Sequence, residues 1–571
     1  MTHVLLAALD PDQREVAALT HGRVAVIATA GSGKTRAITH RIAYAVATGA
    51  HEANRGLALT FTTKAAGAMR KQLADLSVDA VTAATFHSTA LRQLTHFWPR
   101  ALGGSAWKVS ASKNAAVEEA IRHANLDVSN SDRRSIISEM EWAKTSGLDP
   151  SSYLELNRGS LGVDQALVAE VWGRYTDICH RLRVIDFEDV LSLTVGMLQQ
   201  RPDIALEVQR RYTWFTVDEY QDVTPLQQAL LDLWIGNRND VCVVGDPAQT
   251  IYSFAGAQSN FLTAFQQNYP DATVIELRRT YRCPLAVVDV ANSLMAAEIP
   301  ELRSAVAMKS QVEATGEIHV AKYSDEAAEA AAVAQQIAQL IKAGSDPREI
   351  AVLIRINTMS VALESAFDNL RIPYTVKGST KFFDRREIKQ ALLALKVETY
   401  SDAKHDLLEL ITSVCESFGW SQKPPLGSVE AKSAWESLSG LVVMADDLVA
   451  KNPQATLQDF MSEIEVRTVS QQEPAAAAVT IATMHAAKGL EWEYVFIPGL
   501  VEGVVPYVLA LTEHNIAEER RLLYVAITRA KKSVWLSWPN ARRGNQGGSP
   551  VPSRFLSDIN ATNSDLEFTE V

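Results

Sequence analysis

Short apolar runs rich in β-branched residues alternate with longer amphipathic stretches along most of the chain. Arg23–Thr29 (RVAVIAT) is such a run; a Gly/Ser loop follows it, and then a segment of helical period from Lys34 to Ala47. The order predicts strand, loop and helix. Leu57–Thr60, Trp214–Val217 and Val241–Val244 repeat the pattern, each followed by turn formers or acids. Strands separated by helices predict a parallel sheet covered on both faces, where ligands collect at the carboxyl ends of strands. Two stretches break the alternation. Residues 92–185 contain no strand run and read as amphipathic helix, as in Ser138–Trp142 and Val168–Leu182. Alternation resumes at Glu317 with IHVAKY, the Ala-rich helix Asp325–Lys342, IAVLIR, helix Val361–Leu370 and IPYTV. Residues 391–474 are again helical, with a break at Pro424-Pro425, before VTIATM (479–484) and YVFIPG (494–499). The expected fold class is α/β, with two domains that each carry a helical insertion. The boundaries read as 1–91 and 186–283 for the first domain, with 92–185 inserted. The second domain takes 284–390 and 475–571, with 391–474 as its shorter insertion.

Composition narrows the class. A chain of 571 residues predicts about three to five domains or subdomains. Hydrophobic residues at 47% and charged residues at 21% exclude a disordered or collagenous chain. Four Cys, at 179, 242, 283 and 415, are too scattered for a disulfide framework or a CxxC metal knuckle, which points to a reducing, cytoplasmic compartment. The opening MTHVLLAALDPDQ has no basic region, and no later stretch reaches the ~18 apolar residues of a membrane span, so no membrane association is expected. The balance 55 − 67 = −12 argues against non-specific coating of nucleic acid. Screening confines charge effects to about 8–10 Å, so a locally positive channel is still compatible with it. No solenoid repeat is present, and the Gly/Arg/Ser run at 541–549 reads as a loop.

The chemistry starts at Ala28-Thr29-Ala30-Gly31-Ser32-Gly33-Lys34-Thr35, where a strand gives way to a helix. Backbone N–H groups converge on an anion at such a junction. Lys34 would reach the β and γ phosphates of a nucleotide, and Thr35 Oγ1 would ligate Mg²⁺. Ala28 replaces the first glycine of the usual phosphate-loop pattern, but Gly31, Gly33, Lys34 and Thr35 hold the demanding positions. The strand Trp214–Val217 ends in Asp218-Glu219, where an acidic pair would complete the site. Asp218 would hold Mg²⁺ through water and Glu219 would polarise the attacking water. ATP and Mg²⁺ are therefore the expected cofactors.

Further segments follow in order: DEYQD (218–222), VVGDPAQTIYSFAGA (243–257), TYR (280–282), TMHAAKGLEW (483–492) and EERRLLYVAITRAKK (518–532). Together they resemble the ordered motifs of superfamily 1A DNA helicases of the UvrD/Rep/PcrA type, over almost the whole chain. Within that group EWAK (141–144), DEYQDVTPLQQ (218–228), REIKQALLAL (386–395) and PSRFL (552–556) are most similar to the second UvrD-like helicase group of actinobacteria. The resemblance implies two RecA-like P-loop domains with ATP in the cleft between them. It assigns Gln13 to reading adenine, Arg36 and Tyr281 to the base side, and Glu491 to the ribose. Gln249 would sense the γ phosphate and couple it to DNA, and Arg282 and Arg529 would reach that phosphate from either side. A planar, permanently charged guanidinium is suited to stabilising the spreading charge of a transferring phosphoryl group.

Base-tolerant grip on a single strand needs aromatic faces and polar groups aimed at the backbone. Phe61 in TFTTK, Phe187 in IDFED and Phe254 in IYSFAG are the stacking candidates, with His87 beside them. Phe86 and Tyr252 stand open between stacking and core. Thr60, Thr62, Lys64, His485 and Lys488 are candidate phosphate contacts. Many relatives carry Arg after the aromatic of IYSF, whereas this chain has Ala255, so one charge contact is expected to be missing.

The expected activity is an ATP-dependent DNA helicase or translocase acting on single-stranded DNA and tailed duplexes, moving 3′ to 5′ as the resemblance implies. A rival is a DNA-stimulated translocase that strips proteins and unwinds poorly without a protein partner. The insertion at 391–474 is shorter than in UvrD and Rep, and no CxxC cluster or helical module follows PSRFL. A non-catalytic nucleic-acid scaffold is opposed by the complete set Lys34, Thr35, Asp218, Glu219, Gln249, Arg282 and Arg529. A nuclease lacks a two-metal carboxylate cluster after Arg529, and a P-loop kinase leaves Arg282 and Arg529 unused.

Overall fold

A computed structural model describes residues 2–570 except 111, 127, 129, 157–162, 259, 299–306, 378–384, 399–405, 422–428, 453, 463, 465–476, 542–550 and 561–567. The expected break at Pro424-Pro425 and positions 542–549 of the expected loop lie outside the described residues. The chain forms two compact units, Met1–Tyr281 with Ser304–Lys309, and Arg282–Arg303 with Ser310–Val571.

The strands of the first unit are β1 (Arg23–Ala28), β2 (Gly56–Thr60), β3 (Thr82–Thr85), β4 (Lys108–Val109), β5 (Val184–Ile185), β6 (Trp214–Val217), β7 (Val241–Gly245), β8 (Thr273–Leu277) and the two-residue β9 (Arg279–Thr280). Six of them form one sheet in the order β3-β2-β6-β7-β1-β8, and every pairing in it is parallel. Parallel sheets are buried on both faces, and the central strands β2, β6 and β7 are buried along their whole length. Alternate residues serve opposite faces: Val24, Val26, Cys242 and Val244 pack with Ile38 and Ile42 of helix Lys34–Ala47. Ala25, Val241 and Val243 pack with Leu94, Leu191, Leu230 and Trp234 on the other side.

Helices start where the sequence supplies caps. Thr62 Oγ1 accepts from Ala65 N, and Thr85 and Thr224 form reciprocal capping boxes with Ser88 and Gln227. Residue 92 does not open the insertion. It lies inside helix Phe86–Ala101, whose Leu94, Phe97 and Trp98 belong to the core beneath the sheet. The helices Asn114–His123, Asn130–Thr145, Pro150–Glu155 and Gln165–Leu182 form the separate bundle, with a core of Val117, Ile136, Met140, Trp172 and Tyr175. Its neck is the parallel pair β4–β5, Lys108 opposite Val184 and Val109 opposite Ile185.

Strand β10 (Lys309–Ser310) precedes the second sheet along the chain. That sheet contains β11 (Glu317–Tyr323), β12 (Ile350–Ile354), β13 (Tyr374–Lys377), β14 (Val479–Thr483), β15 (Trp492–Ile497), β16 (Ala530–Pro539) and β17 (Phe568–Glu570), in the order β13-β14-β12-β15-β16-β11-β17. Its pairings are also parallel. Helices Glu326–Lys342 and Ser360–Leu370 bury Val333, Ile337, Leu363 and Phe367 against it. The second helical cluster, with helices Arg386–Glu398, Leu407–Ser417 and Val429–Lys451, has its own core of Ile388, Leu395, Ile411, Leu438 and Phe460. It therefore starts a few residues before position 391. Both units are α/β, as expected.

Four free cysteines, Cys179, Cys242, Cys283 and Cys415, are buried, and burial pushes the Cys179 and Cys242 thiols up and that of Cys415 up to about 12. Among the described residues, no helix is long and apolar enough to cross a membrane.

Gly56 pairs with Trp214 across β2 and β6, and a Cβ at residue 56 would lie 2.2 Å from the Trp214 ring. The indole is pinned there, since its Nε1 donates to Glu52 O at 3.0 Å and the His51 ring stacks on it at 5.1 Å. Gly56→Ala is expected to destabilise the fold by about 1–3 kcal/mol through overpacking. Gly173→Ala, in an open position of helix Gln165–Leu182, is expected to stabilise it by about 0.5–1 kcal/mol. Urea denaturation of the two variants gives both signs directly.

Candidate active site

The phosphate loop leaves the carboxyl end of β1 and is braced before helix Lys34–Ala47 begins. Thr29 donates to Leu277 O from both its N–H and its hydroxyl, at 3.0 and 3.1 Å. Ser32 donates to Thr29 O in the same double way, at 3.2 and 2.8 Å. Gly31 and Gly33 have φ of 72° and 77°, a left-handed backbone open to glycine at little cost. That succession of turns aims N–H groups into one concavity at a helix N-terminus, the arrangement that binds phosphate. Ala28 and Ala30 are buried at the base of the loop.

Two carboxylates meet the loop from β6. Thr35 Oγ1 donates to Asp218 Oδ2 at 3.4 Å, and Lys34 Nζ lies 3.6 Å from Glu219 Oε1. Asp218 is buried; desolvation, and then the neighbouring Glu219 charge, push its carboxyl up to about 7. Glu219 has a φ of 54°, a conformation that costs a side-chain-bearing residue about 1–3 kcal/mol and is typical of functional turns. A hydroxyl and a buried carboxylate crowded by a second one form a hard, anionic oxygen set, which fits a hydrated Mg²⁺. A different group spaced for a metal, His21, His51 and Asp240, lies at the amino ends of β1 and β7, away from the loop.

The sequence reading did not single out Gln221 and Asp246, although both fall inside the motifs DEYQD and VVGDPAQ. Gln221 Nε2 donates to Glu219 Oε2 at 2.5 Å, and Gln221 Oε1 accepts from Asp246 N at 3.0 Å. Gln249 Nε2 then donates to Asp246 Oδ2 at 2.7 Å. These bonds form an unbroken polar path from Lys34 and Glu219 to Gln249. A Cβ at Gly245 would lie 2.2 Å from Gln221 Oε1, so the glycine lets the path pass close to β7.

Gln13, Tyr281 and Arg36 surround the loop's outer side. Gln13 is buried and its Nε2 donates to Ser32 O at 2.9 Å. Tyr281 donates from its backbone to Gly31 O at 3.0 Å and from its hydroxyl to Asp10 Oδ2 at 2.6 Å. Asp10 in turn caps the helix that carries Gln13. Arg36 Nη2 donates to Ala8 O at 2.7 Å, so its guanidinium braces the segment before that helix.

In the second unit, Arg282, Glu491 and Arg529 form a local cluster. Arg282 grips Glu491 Oε2 through Nε and Nη2, at 2.7 and 2.6 Å. Arg529 is buried and donates to Val525 O at 2.8 Å, Leu490 O at 3.3 Å and Thr528 Oγ1 at 3.2 Å. Arg282 Nη1 reaches Thr528 O at 3.4 Å. The two arginines are thus held from a common turn ahead of β16. His485 and Lys488 follow β14. Burial, and then the charges of Arg355 and Lys488, bring the His485 imidazole down to about 4, so it is neutral at pH 7.

The aromatic candidates separate. Phe61, Phe187 and Phe254 are 41%, 55% and 60% exposed, whereas Phe86 is 4% exposed and stacks on Trp234 inside the core. Phe86 is therefore a core residue: it begins a helix whose apolar face covers the sheet, and its ring follows that face inward. Thr60 is likewise buried, with its hydroxyl donating to Thr62 O at 3.1 Å, which takes it out of the phosphate-contact set. Thr62 caps the helix of Lys64, and Lys64 itself is exposed. Phe61 stacks on Tyr252 at 5.7 Å, and Tyr252 meets Phe254 edge-on at 6.0 Å. Phe187 stacks face to face on His87 at 3.9 Å, and burial brings the His87 imidazole down to about 4. Two aromatic platforms result, one of them directly after the Gln249 turn.

Comparison with known sequences identifies the family. The family model for the UvrD/REP helicase N-terminal domain matches residues 9–270. That for the UvrD-like helicase C-terminal domain matches residues 275–426 and 421–541. The ATP-dependent DNA helicase UvrD2 of Mycobacterium tuberculosis (strain ATCC 25618 / H37Rv) is 42% identical over 574 residues, covering 97% of this chain and 82% of that protein. The UvrD2 of Mycobacterium bovis matches with the same figures, 42% over 574 residues. The ATP-dependent DNA helicase PcrA of Staphylococcus aureus (strain NCTC 8325 / PS 47) is 26% identical over 641 residues, covering 98% of this chain and 87% of that one. With a phosphate loop, an acidic pair and the arginine cluster on two parallel α/β sheets, the chain belongs to the UvrD/Rep helicase family and has its two RecA-like domains.

Proposed function

We propose that this chain is an ATP-dependent DNA helicase, a DNA-stimulated ATPase that moves 3′ to 5′ on single-stranded DNA and separates tailed duplexes in DNA repair or replication. The observation that carries the reading is the polar path Lys34–Glu219–Gln221–Asp246–Gln249, which ends beside the stacked Phe61, Tyr252 and Phe254. It joins the phosphate-facing groups to the strand-facing ones within one unit.

In this mechanism the phosphate loop and Lys34 would hold the β and γ phosphates, and Thr35 and Asp218 would hold Mg²⁺, which would supply charge neutralisation there. Glu219 is paired with Lys34 before nucleotide arrives. Once Lys34 turns to phosphate, Glu219 is released to orient the attacking water. Gln13 and Tyr281 flank the base, and Arg36 braces that side. Arg282 and Arg529, with Glu491 at the ribose, supply charge from the second unit; arginines in that role are worth ~10³–10⁵ in rate. Loss of the γ phosphate shifts Gln249, and the turn carrying Tyr252 and Phe254 changes its hold on a stacked base. Opening duplex costs ~1.4 kcal/mol per base-pair step on average, a small demand for each turnover.

A second reading is favoured by the short length of the insertion at 391–474: a translocase that strips proteins and unwinds only with a partner. Phosphate release measured with and without oligo-dT, then strand separation on duplexes bearing a 3′ or a 5′ tail, decides between the two. The helicase reading expects strong stimulation and unwinding of the 3′-tailed substrate; stimulation without unwinding selects the translocase, and no stimulation removes both. Lys34→Ala is expected to abolish turnover, and Phe254→Ala to lower stimulation by DNA. Lys488→Ala is expected to reduce the slope of log affinity against log salt by about 0.7, the contribution of one phosphate contact on a single strand. His485→Asn is expected to leave that slope unchanged at pH 7, because the imidazole it replaces is uncharged there. Salt titrations of a labelled oligonucleotide measure both.

A further inference from the structure

We propose that Lys144, in the last turn of helix Asn130–Thr145 of the first helical insertion, is a positioning residue for strand binding, fixing the Phe187–His87 platform through Asp186 and Asp189. The inference rests on the reading of Phe187 as a strand-stacking residue.

Phe187 is the first residue of helix Phe187–Gln200, and its direction is set by the cap on either side of it. Asp186 Oδ1 accepts from Asp189 N at 2.8 Å, and Asp189 Oδ2 accepts from Asp186 N at 3.0 Å. The remaining oxygen of each carboxylate takes the same ammonium: Lys144 Nζ lies 2.6 Å from Asp186 Oδ2 and 2.7 Å from Asp189 Oδ1. Tyr175 donates to Asp186 Oδ2 at 2.9 Å, and its ring lies 5.2 Å from Lys144 Nζ. One buried cation therefore ties together both halves of the capping box that brackets Phe187.

The charges around it favour a fixed geometry. Lys113 pairs with Glu141 at 2.7 Å and with Glu188, so two ammoniums face four carboxylates at the foot of the insertion. Burial opposes charge on Lys144, but Asp186 and Asp189 outweigh it and leave its pKa raised. Burial likewise opposes charge on Asp186, yet Lys144 and Lys113 hold that carboxyl down to about 2. Glu188 and Asp189 are pushed up, first by burial. Removing Lys144 would leave one ammonium facing four carboxylates beside the strand-facing ring. The next residue extends the same turn to the second platform: Thr145 Oγ1 lies 3.0 Å from Ala255 O, and a Cβ at Gly256 would approach it to 2.6 Å. Neighbouring residues of the insertion thus touch the elements that carry Phe187 and Phe254.

The test compares Lys144→Met and the charge-balanced Lys144→Gln/Asp189→Asn, which keeps an acceptor oxygen for the cap, in the full chain with and without Phe187→Ala. The readouts are basal ATP turnover, maximal oligo-dT-stimulated turnover and the oligo-dT concentration giving half-stimulation, with melting temperature as a check on folding. The expected result is a half-stimulating concentration raised by about tenfold, on the scale of one lost base stack, with basal turnover unchanged. The Lys144 changes should add nothing in the Phe187→Ala background. A folded charge-balanced variant with wild-type half-stimulation overturns the proposal, as does a Lys144 effect that multiplies with that of Phe187→Ala. If Phe187→Ala alone leaves half-stimulation unchanged, the strand-stacking reading of Phe187 fails instead, and the positioning role falls with it.

Discussion

Two carboxylates at the end of one buried strand face a single ammonium, and the first unit is organised around that imbalance. Asp218 and Glu219 follow β6 directly, and Lys34 opens the helix after β1. Burial alone would make adjacent charges at this depth untenable, and desolvation is what lifts the Asp218 carboxyl toward neutrality. The strand order places β1, β6 and β7 side by side, so the loop, the acidic pair and the Asp246–Gln249 turn emerge at one edge. The parallel direction of the sheet is what makes that convergence possible.

Much of this was legible in the sequence because strands and phosphate loops are local features. Arg23–Thr29, Lys34–Ala47 and Trp214–Val217 announced themselves through apolar runs and glycine spacing, and the structure holds them with nearly the expected limits. Local signals also found the aromatics after strands and favoured Phe61 for stacking, yet left Phe86 open between stacking and core. Both follow a β-run ending in Thr, and only the direction of the next helix decides which ring turns inward. The insertion boundary failed for a similar reason: residues 92–101 have helical periodicity, but their apolar face belongs to the sheet core and not to the bundle.

What could not be read from spacing is connection through the third dimension. Gln221 sits between Tyr220 and Asp222 in DEYQD, and its amide bridges the turns that follow β6 and β7. Lys144 is 42 residues from Asp186 along the chain, so no periodicity joins them. Residues that act by bridging leave little trace in a linear pattern, because their partners lie in other elements.

The cysteines carry a practical corollary. Their sulfurs are enclosed, and burial holds three of the thiols in the protonated form, which is the unreactive one. A maleimide dye would consequently find little native background to compete with. A surface cysteine engineered on each unit could be coupled to donor and acceptor fluorophores without first stripping out the natural ones, so the chain comes ready for distance measurements one molecule at a time.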